Sequence, residues 1–392
     1  MDRIMRIHAL QDKMIAEGLS GALLFYSRDI FYYTGTAQPS YLAVLPDDYI
    51  LFVRSGFDVA LQDVFIDKKN IREERRLSNI SKEILSGMKG SAKKIATELD
   101  LLTVEQFRGF REIFADSEFV NASLFILEQR KNKDLSEITE IKAACEAIHK
   151  GHVAAVSTLR EGVTELELAA AVENAHRLSG HEGIFFIRQP DFFMSRGPVA
   201  SGPNLFNNSG VVYTITGTGL SPAVPAGPSQ RRITRGDIVV VDIPTLVRGY
   251  HADQTRTYCL GKAGTKIRSM YDDLKTIADH LIDRIKPGMP CRDIYGMALN
   301  EAGKLRREHH FLNFGKGKRS RMIGHGIGLE LNEPPILSEY DRSEIGEHCV
   351  IALDMHMMDE GQGVVKIEDM ILIKEGGNEI LTKSPRDLCE IE

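Results

Sequence analysis

Four acidic residues interrupt stretches of the chain that are otherwise apolar. Asp242 lies in VVVDI, Asp253 follows eleven positions later, Asp354 lies in CVIALDM and Glu368 in VVKIEDMILI. A carboxylate on an apolar strand loses its hydration, so it needs a cation or strong hydrogen bonds. Four carboxylates gathered together raise one another's pKa values unless positive charge holds them. A divalent metal ion meets that need most simply, and an acidic set with one imidazole suits Mn, Fe, Co or Zn. His325, in GHGIGLE, is the imidazole candidate, and its flanking glycines let other groups approach closely. Taken singly, each acid also fits a pairing with backbone amides or an arginine, and His325 a place in the core. The set as a whole points to a metal.

The elements that must position these residues can be read from hydrophobic spacing. Ile4, Ile7, Leu10 and Met14 mark an amphipathic helix that stops at Gly18. GALLFYS (21–27), IFYYTGT (30–36), YLAVLP (41–46) and YILFVR (49–54) read as strands, as does AKKIATEL, which lies between helices near 78–88 and 103–115. The charged stretch 128–142 marks a boundary. Beyond it a helix runs through Ile141, Ala144, Cys145 and Ile148, and a second through 164–180. Asp134 and Thr164 are expected as N-caps and Gly180 as the stop. From 183 onward strands are expected: IFFIRQPDFFM, VASGPN, two strands in 237–261 with a turn at Arg248–Gly249, and three strand-like segments at the end. Helices are expected at 265–285 and 291–307, and a long loop at 216–232.

DIVVVDIPTLVRGYHADQTRT, HGIGLELNEPP and VKIEDMILI together resemble the motif segments of the creatinase/prolidase/aminopeptidase P family, the M24 metallopeptidases of pita-bread fold. VASGPN (199–204) and the helix opening at Lys133–Ile141 fit the same pattern, and IFYYTGT resembles the family's smaller N-terminal domain. The resemblance implies an α+β protein. An N-terminal α/β creatinase-like domain (1–130) would precede a C-terminal pita-bread domain (131–392), and the chain would assemble as a homodimer. It further implies two divalent ions (Mn, Co, Fe or Zn). Asp242 would chelate one, Asp253 and Glu368 would bridge both, and His325 with Asp354 would hold the second. Two ions ~3.5–4 Å apart can share a water and lower its pKa towards ~7, readying it to attack a carbonyl carbon. Thr255 is a candidate hydrogen-bonder to a ligating carboxylate, although a strand threonine facing solvent is an equal alternative.

The chain departs from the family's pattern at three places. Asp354 stands where the family has Glu, and its side chain is shorter by one methylene, about 1.5 Å of reach. Asn332 stands where a His usually follows the HGIGLE segment. Asn can donate a hydrogen bond to an oxyanion but cannot take up a proton. The His usual in the loop before the first metal Asp is missing from 216–232. His251 and His356 are candidates to replace the lost imidazoles, the latter because residues two apart on a strand share a face. Asp354 and Asn332 are therefore the expected catalytic residues. The leading expectation is an Xaa-Pro dipeptidase or aminopeptidase. The alternatives are a creatinase-like C–N hydrolase of a small amide and a non-catalytic binding protein on the same scaffold.

Composition narrows the partners. Lys plus Arg number 49 and Asp plus Glu 55, so the net charge is −6, which argues against a protein that coats nucleic acid. No apolar run reaches the ~18 residues of a membrane span, and the charged first 21 residues do not read as a signal peptide. Five scattered cysteines (Cys145, Cys259, Cys291, Cys349, Cys389) read as reduced thiols and point to the cytoplasm. G-x-S-x-G, H-E-x-x-H and Walker A motifs are absent. FGKGKRSR (314–321) reads as a solvated hairpin tip.

Overall fold

The computed structural model describes residues 3–88, 93–192 and 195–392. The chain divides into two compact units, Met1–Arg130 and Lys131–Glu392.

The first unit runs α1 (Met5–Ala16), β1 (Gly21–Leu24), α2 (Ser27–Thr34), β2 (Ser40–Val44), β3 (Tyr49–Val53), α3 (Phe57–Asp63), β4 (Ile71–Glu73), α4 (Leu77–Gly87), β5 (Lys93–Thr97), α5 (Val104–Ile113), β6 (Ser117–Asn121) and α6 (Ser123–Lys131). In α1, Ile7, Leu10 and Met14 are buried, as their helical spacing requires. The strands form one mixed sheet in the order β4-β3-β2-β1-β5-β6. Ile80 and Ile84 of α4 and Phe110 of α5 pack onto its Leu23, Ala43, Phe52 and Ile95. One expected strand is a helix instead. IFYYTGT lies largely in α2, where Ile30, Tyr32, Tyr33 and Thr34 are all buried, and Gly35 ends it at φ +92°. Burial on several faces hides the helical period, and packing overrides the aromatic preference for strand.

The second unit opens with α7 (Leu135–Thr158) and α8 (Glu165–Leu178). Each starts from a reciprocal capping box, Asp134 with Glu137 and Thr164 with Glu167. Gly180 follows α8 at φ +100°. Then come β7 (Val199–Ser201), β8 (Ile238–Asp242), β9 (Thr245–Val247), β10 (Tyr250–Ala252), β11 (Thr255–Leu260), α9 (Thr265–Arg284), α10 (Cys291–Lys304), β12 (Met322–Gly326), β13 (Glu333–Ser338), β14 (Val350–Asp359), β15 (Gly363–Leu372), β16 (Glu379–Ile380) and β17 (Cys389–Ile391). Two sheets form, β17-β11-β8-β7 and β13-β12-β14-β15-β16, with β9 and β10 pairing as a hairpin. That hairpin turns through positive φ at Arg248 and Gly249.

Strand alternation sorts β8 between two cores. Val239 and Val241 pack with Leu168 and Val172 of α8. Ile238 and Val240 face the other way, into a core built with α9, α10, β14 and β15, which also takes Cys259 and Cys349. Asp242 continues the Ile238–Val240 face and so points towards the second sheet.

The expected strand IFFIRQPDFFM does not form over residues 184–192, and its last two residues lie outside the described ones. The Phe186 N–H donates to His251 Nε2 (3.0 Å), and its carbonyl accepts from Leu331 N–H (2.7 Å). Pro190 has no N–H to offer a ladder. Phe186 thus bonds to a side chain and a loop amide rather than to a strand ladder.

Candidate metal centre

Three strands and the segment after the β9–β10 hairpin deliver the four acids, and a fourth strand delivers His325. Asp242 closes β8, and its antiparallel partner across the pair is Thr255 of β11. Asp253 lies between β10 and β11. Asp354 of β14 sits directly opposite Glu368 of β15. His325 of β12 joins them by pairing with Ala352 of β14. Asp242, Asp253, His325, Asp354, Glu368 and Asn332 all line one pocket, with Ile187, Phe192, Val211 and Leu331 among its apolar walls.

Within the pocket the five candidate ligands fall into two groups. Asp253, His325 and Glu368, all buried, each offer a ligand atom within 4.8 Å of the others. His325 Nδ1 lies 3.1 Å from the Gly326 carbonyl. A carbonyl only accepts, so Nδ1 carries the proton and Nε2 keeps its lone pair. His325 Nε2 is 4.0 Å from Glu368 Oε1. Burial pushes the His325 pKa down despite the nearby Glu368 carboxylate, which favours the neutral ring that a metal needs.

The second group surrounds a residue absent from the sequence-derived set. Lys366 Nζ lies 2.5 Å from Asp242 Oδ2, 3.2 Å from Asp354 Oδ2 and 3.4 Å from Glu368 Oε2. Its side chain is fully buried. Burial alone would lower the Lys366 pKa, but Asp242, Asp354 and Glu368 outweigh it and hold the value well above that of an ordinary lysine. Burial pushes the Asp242 and Asp354 carboxyls up to about 6, against the pull of Lys366. Asp253 rises well above the usual range through burial and then the charges of Glu368 and Asp242.

The residues present fit a divalent ion. Asp253 Oδ1, Glu368 Oε1 and Asp354 Oδ1 are buried oxygens without a hydrogen-bond partner among the described residues. Buried polar atoms are nearly always satisfied, so orphaned oxygens on Asp253 and Glu368, the two acids grouped with the His325 imidazole, are the expected signature of a site for a cation. Glu368 is held from behind: Thr255 Oγ1 donates to its Oε2 at 2.7 Å. This settles the alternatives for Thr255, which is fully buried and does not face solvent.

Supporting charge comes from Arg256, also unmarked in the sequence reading. Its guanidinium is buried and donates to the carbonyls of Thr255, Glu368, Ser384 and Pro385 and to Asp369 Oδ1 (2.6 Å). Although burial opposes it, Arg256 and then Arg386 hold the Asp369 carboxyl below its usual value. Arg256 thereby ties β11 to β15, the strands that carry Thr255 and Glu368.

His251 and His356 do not replace the lost imidazoles. His251 accepts from Phe186 N–H, and its Nδ1 lies 2.9 Å from the Gly328 carbonyl, so both ring nitrogens are spent on backbone. His356 Nε2 meets the Asn313 carbonyl at 3.1 Å and its ring stacks on Phe314. Burial and then Lys366 push its pKa down to about 3. Neither lines the pocket.

No described helix is long and apolar enough to cross a membrane. Comparison with known proteins matches residues 139–375 to the metallopeptidase family M24 and residues 6–131 to the creatinase/prolidase N-terminal domain. An Xaa-Pro dipeptidase of Pyrococcus furiosus is 28% identical over 365 residues, 92% of each chain. An Xaa-Pro dipeptidase of Pyrococcus horikoshii is 26% identical over 99% of this chain and 98% of its own. Among solved structures, the prolidase from Pyrococcus horikoshii superposes with a TM-score of 0.81 at 25% identity, covering 98% of this chain and 99% of that one. The Xaa-Pro dipeptidase from Bacillus anthracis shares the fold at a TM-score of 0.83 and 22% identity, covering 99% and 100%. The acids on apolar strands, the two-unit α+β pita-bread architecture and a family match over more than half the chain agree: this protein belongs to the metallopeptidases of family M24.

Proposed function

We propose that the protein is a metal-dependent peptidase that cleaves the N-terminal bond of short peptides, with Xaa-Pro dipeptides as the first substrates to test. The observation that carries this reading is the convergence of Asp253, His325 and Glu368, with orphaned carboxylate oxygens, on a pocket with apolar walls. The Pyrococcus relatives named for Xaa-Pro dipeptidase activity support the substrate class. The resemblance implies two ions over five ligands; the ion we assign with most support is the one at Asp253, His325 and Glu368. A bound divalent ion polarises a carbonyl and acidifies water.

The chain's own residues divide the remaining work. Asp354 keeps Oδ1 free while Lys366 holds its Oδ2, which leaves one oxygen to take up a proton. Asn332 lines the same pocket and is suited to donate a hydrogen bond to the oxyanion that forms as the carbonyl is attacked. The apolar walls exclude water and suit a pyrrolidine ring or aliphatic side chain. Five free cysteines fit a reducing compartment such as the cytoplasm, and a homodimer is the assembly the family resemblance implies.

A panel of Xaa-Pro and other short peptides beside small amides, each assayed with Mn, Co, Fe and Zn, tests the proposal. Hydrolysis of the peptides that is lost in Asp253→Asn is expected. Turnover of the amides alone would replace the peptidase reading with the creatinase-like one.

A further inference from the structure

We infer that the centre is built for a single divalent ion, held by Asp253, His325 and Glu368, and that the Lys366 ammonium takes the place of a second ion among Asp242, Asp354 and Glu368. The inference rests on the metal-dependent reading above and narrows it.

The geometry assigns Lys366 to the carboxylates rather than to solvent. An ammonium group has three protons to donate, and three carboxylate oxygens lie 2.5, 3.2 and 3.4 Å from Nζ. Its backbone is pinned as well: Lys366 N–H donates to Thr257 Oγ1 at 2.9 Å, and Thr257 Oγ1 donates to the Lys366 carbonyl at 2.6 Å. The neighbouring Val364, Val365 and Ile367 are buried in the core. A second ion at Asp242 and Asp354 would need metal–oxygen distances near ~2.0–2.2 Å from oxygens that already bind the ammonium. It would place a divalent charge beside a buried monovalent one. Lys366 would then have to swing away from all three partners, and stranding a buried charge is strongly unfavourable.

The sequence departure at Asp354 fits the same picture. The shorter side chain reaches the ammonium, and its Oδ2 is spent there. Glu368 serves both sides. Its Oε2 faces Lys366 and Thr255, while its Oε1 is orphaned on the side of His325. One carboxylate oxygen thus belongs to a protein cation and the other is left for an ion.

Counting bound Mn2+ in the full-length chain tests this. The protein is stripped with chelator, and the count is taken by calorimetric titration to saturation and by elemental analysis. Electron paramagnetic resonance of the loaded protein separates an isolated Mn2+ from a coupled pair. We expect one ion per chain with an uncoupled six-line spectrum. Asp242→Asn should leave the count at one, and Asp253→Asn should abolish it. Lys366→Met should raise the count from one to two and bring in the coupled spectrum. If that variant fails to fold, the wild-type, Asp242→Asn and Asp253→Asn counts still decide. Two ions in the wild type, with one lost in Asp242→Asn, overturn the inference and leave the metallopeptidase reading standing. No ion in the wild type overturns both.

Discussion

The hydrogen bond from Thr255 to Glu368 offers a sharp test of how the site is held. Valine is nearly the same shape as threonine, so Thr255→Val removes the 2.7 Å bond to Oε2 with little change in packing. A hydrogen bond to a charged group contributes about 1.5–3 kcal/mol. Glu368 Oε2 keeps Lys366 at 3.4 Å, which favours the lower half of that range. Part of the bond's worth is already present before metal binds and cancels in the affinity. The part that remains is what keeps the carboxylate from turning its Oε1 away from His325. Losing such an orienting partner typically weakens metal binding about 10–100-fold, and the residual Lys366 contact places this site near about 10-fold, or ~1.4 kcal/mol. Calorimetric titration of Mn2+ into stripped wild type, Thr255→Val and Thr255→Ser reads the difference directly. Serine restores the hydroxyl and should recover most of the affinity. Equal Kd values for wild type and the valine variant, or a serine variant as weak as the valine one, would show that the bond plays no part in presenting Glu368.

The other expectations concern the frame, the pocket and pH. Arg256→Met removes a buried guanidinium and leaves Asp369 and four carbonyls without that donor, and should cost about 3–5 kcal/mol in urea unfolding. Because Arg256 and Asp369 are direct partners at 2.6 Å, adding Asp369→Asn should worsen the variant by less than Asp369→Asn costs alone, with a residual cost from Arg386 Nε, which also holds Asp369 at 2.7 Å. Asn332→Ala should lower kcat on a cleaved peptide by about 10²-fold if Asn332 donates to the oxyanion; a change confined to KM would assign it to substrate binding instead. Burial, and then His181, push His176 down to about 4, against ~6.5 for an unfolded histidine. The unfolded chain therefore binds the proton more readily between those values, and stability falls as pH drops through that window. Relative to His176→Leu, the wild type should lose about 2 kcal/mol of unfolding free energy between pH 7 and pH 5; a pH-independent difference would contradict this.

What the sequence makes legible follows from how strongly each residue violates its surroundings. Asp242, Asp354 and Glu368 stand out because a carboxylate within an apolar strand needs an explanation, and His325 because glycines flank it. The helix starts at Asp134 and Thr164 are legible because a capping box is a local pattern of side chain and spacing. IFYYTGT misleads because its burial on several faces erases the 3.6-residue period, and IFFIRQPDFFM because its apolar run meets a histidine and a loop rather than a neighbouring strand. His251 and His356 share a face or a neighbourhood with the acids in sequence, yet carbonyls and an amide claim them in space. No local pattern reveals that.

Lys366 carries a sequence signal of the same kind as the acids. It lies two residues before Glu368, so the strand period puts both on one face, and Val364, Val365 and Ile367 surround it with apolar side chains. A buried lysine is as costly as a buried aspartate unless it is paired. The same reasoning that singles out four acids in search of a cation therefore singles out this cation in search of acids. Asp242, Asp354 and Glu368 answer it at 2.5–3.4 Å. The charge the sequence assigns wholly to metal is thus supplied in part by the chain itself. That division explains why Asp253, His325 and Glu368 remain as the compact ligand group. It also makes the number of bound ions, rather than the presence of metal, the measurement on which the chemistry of this centre turns.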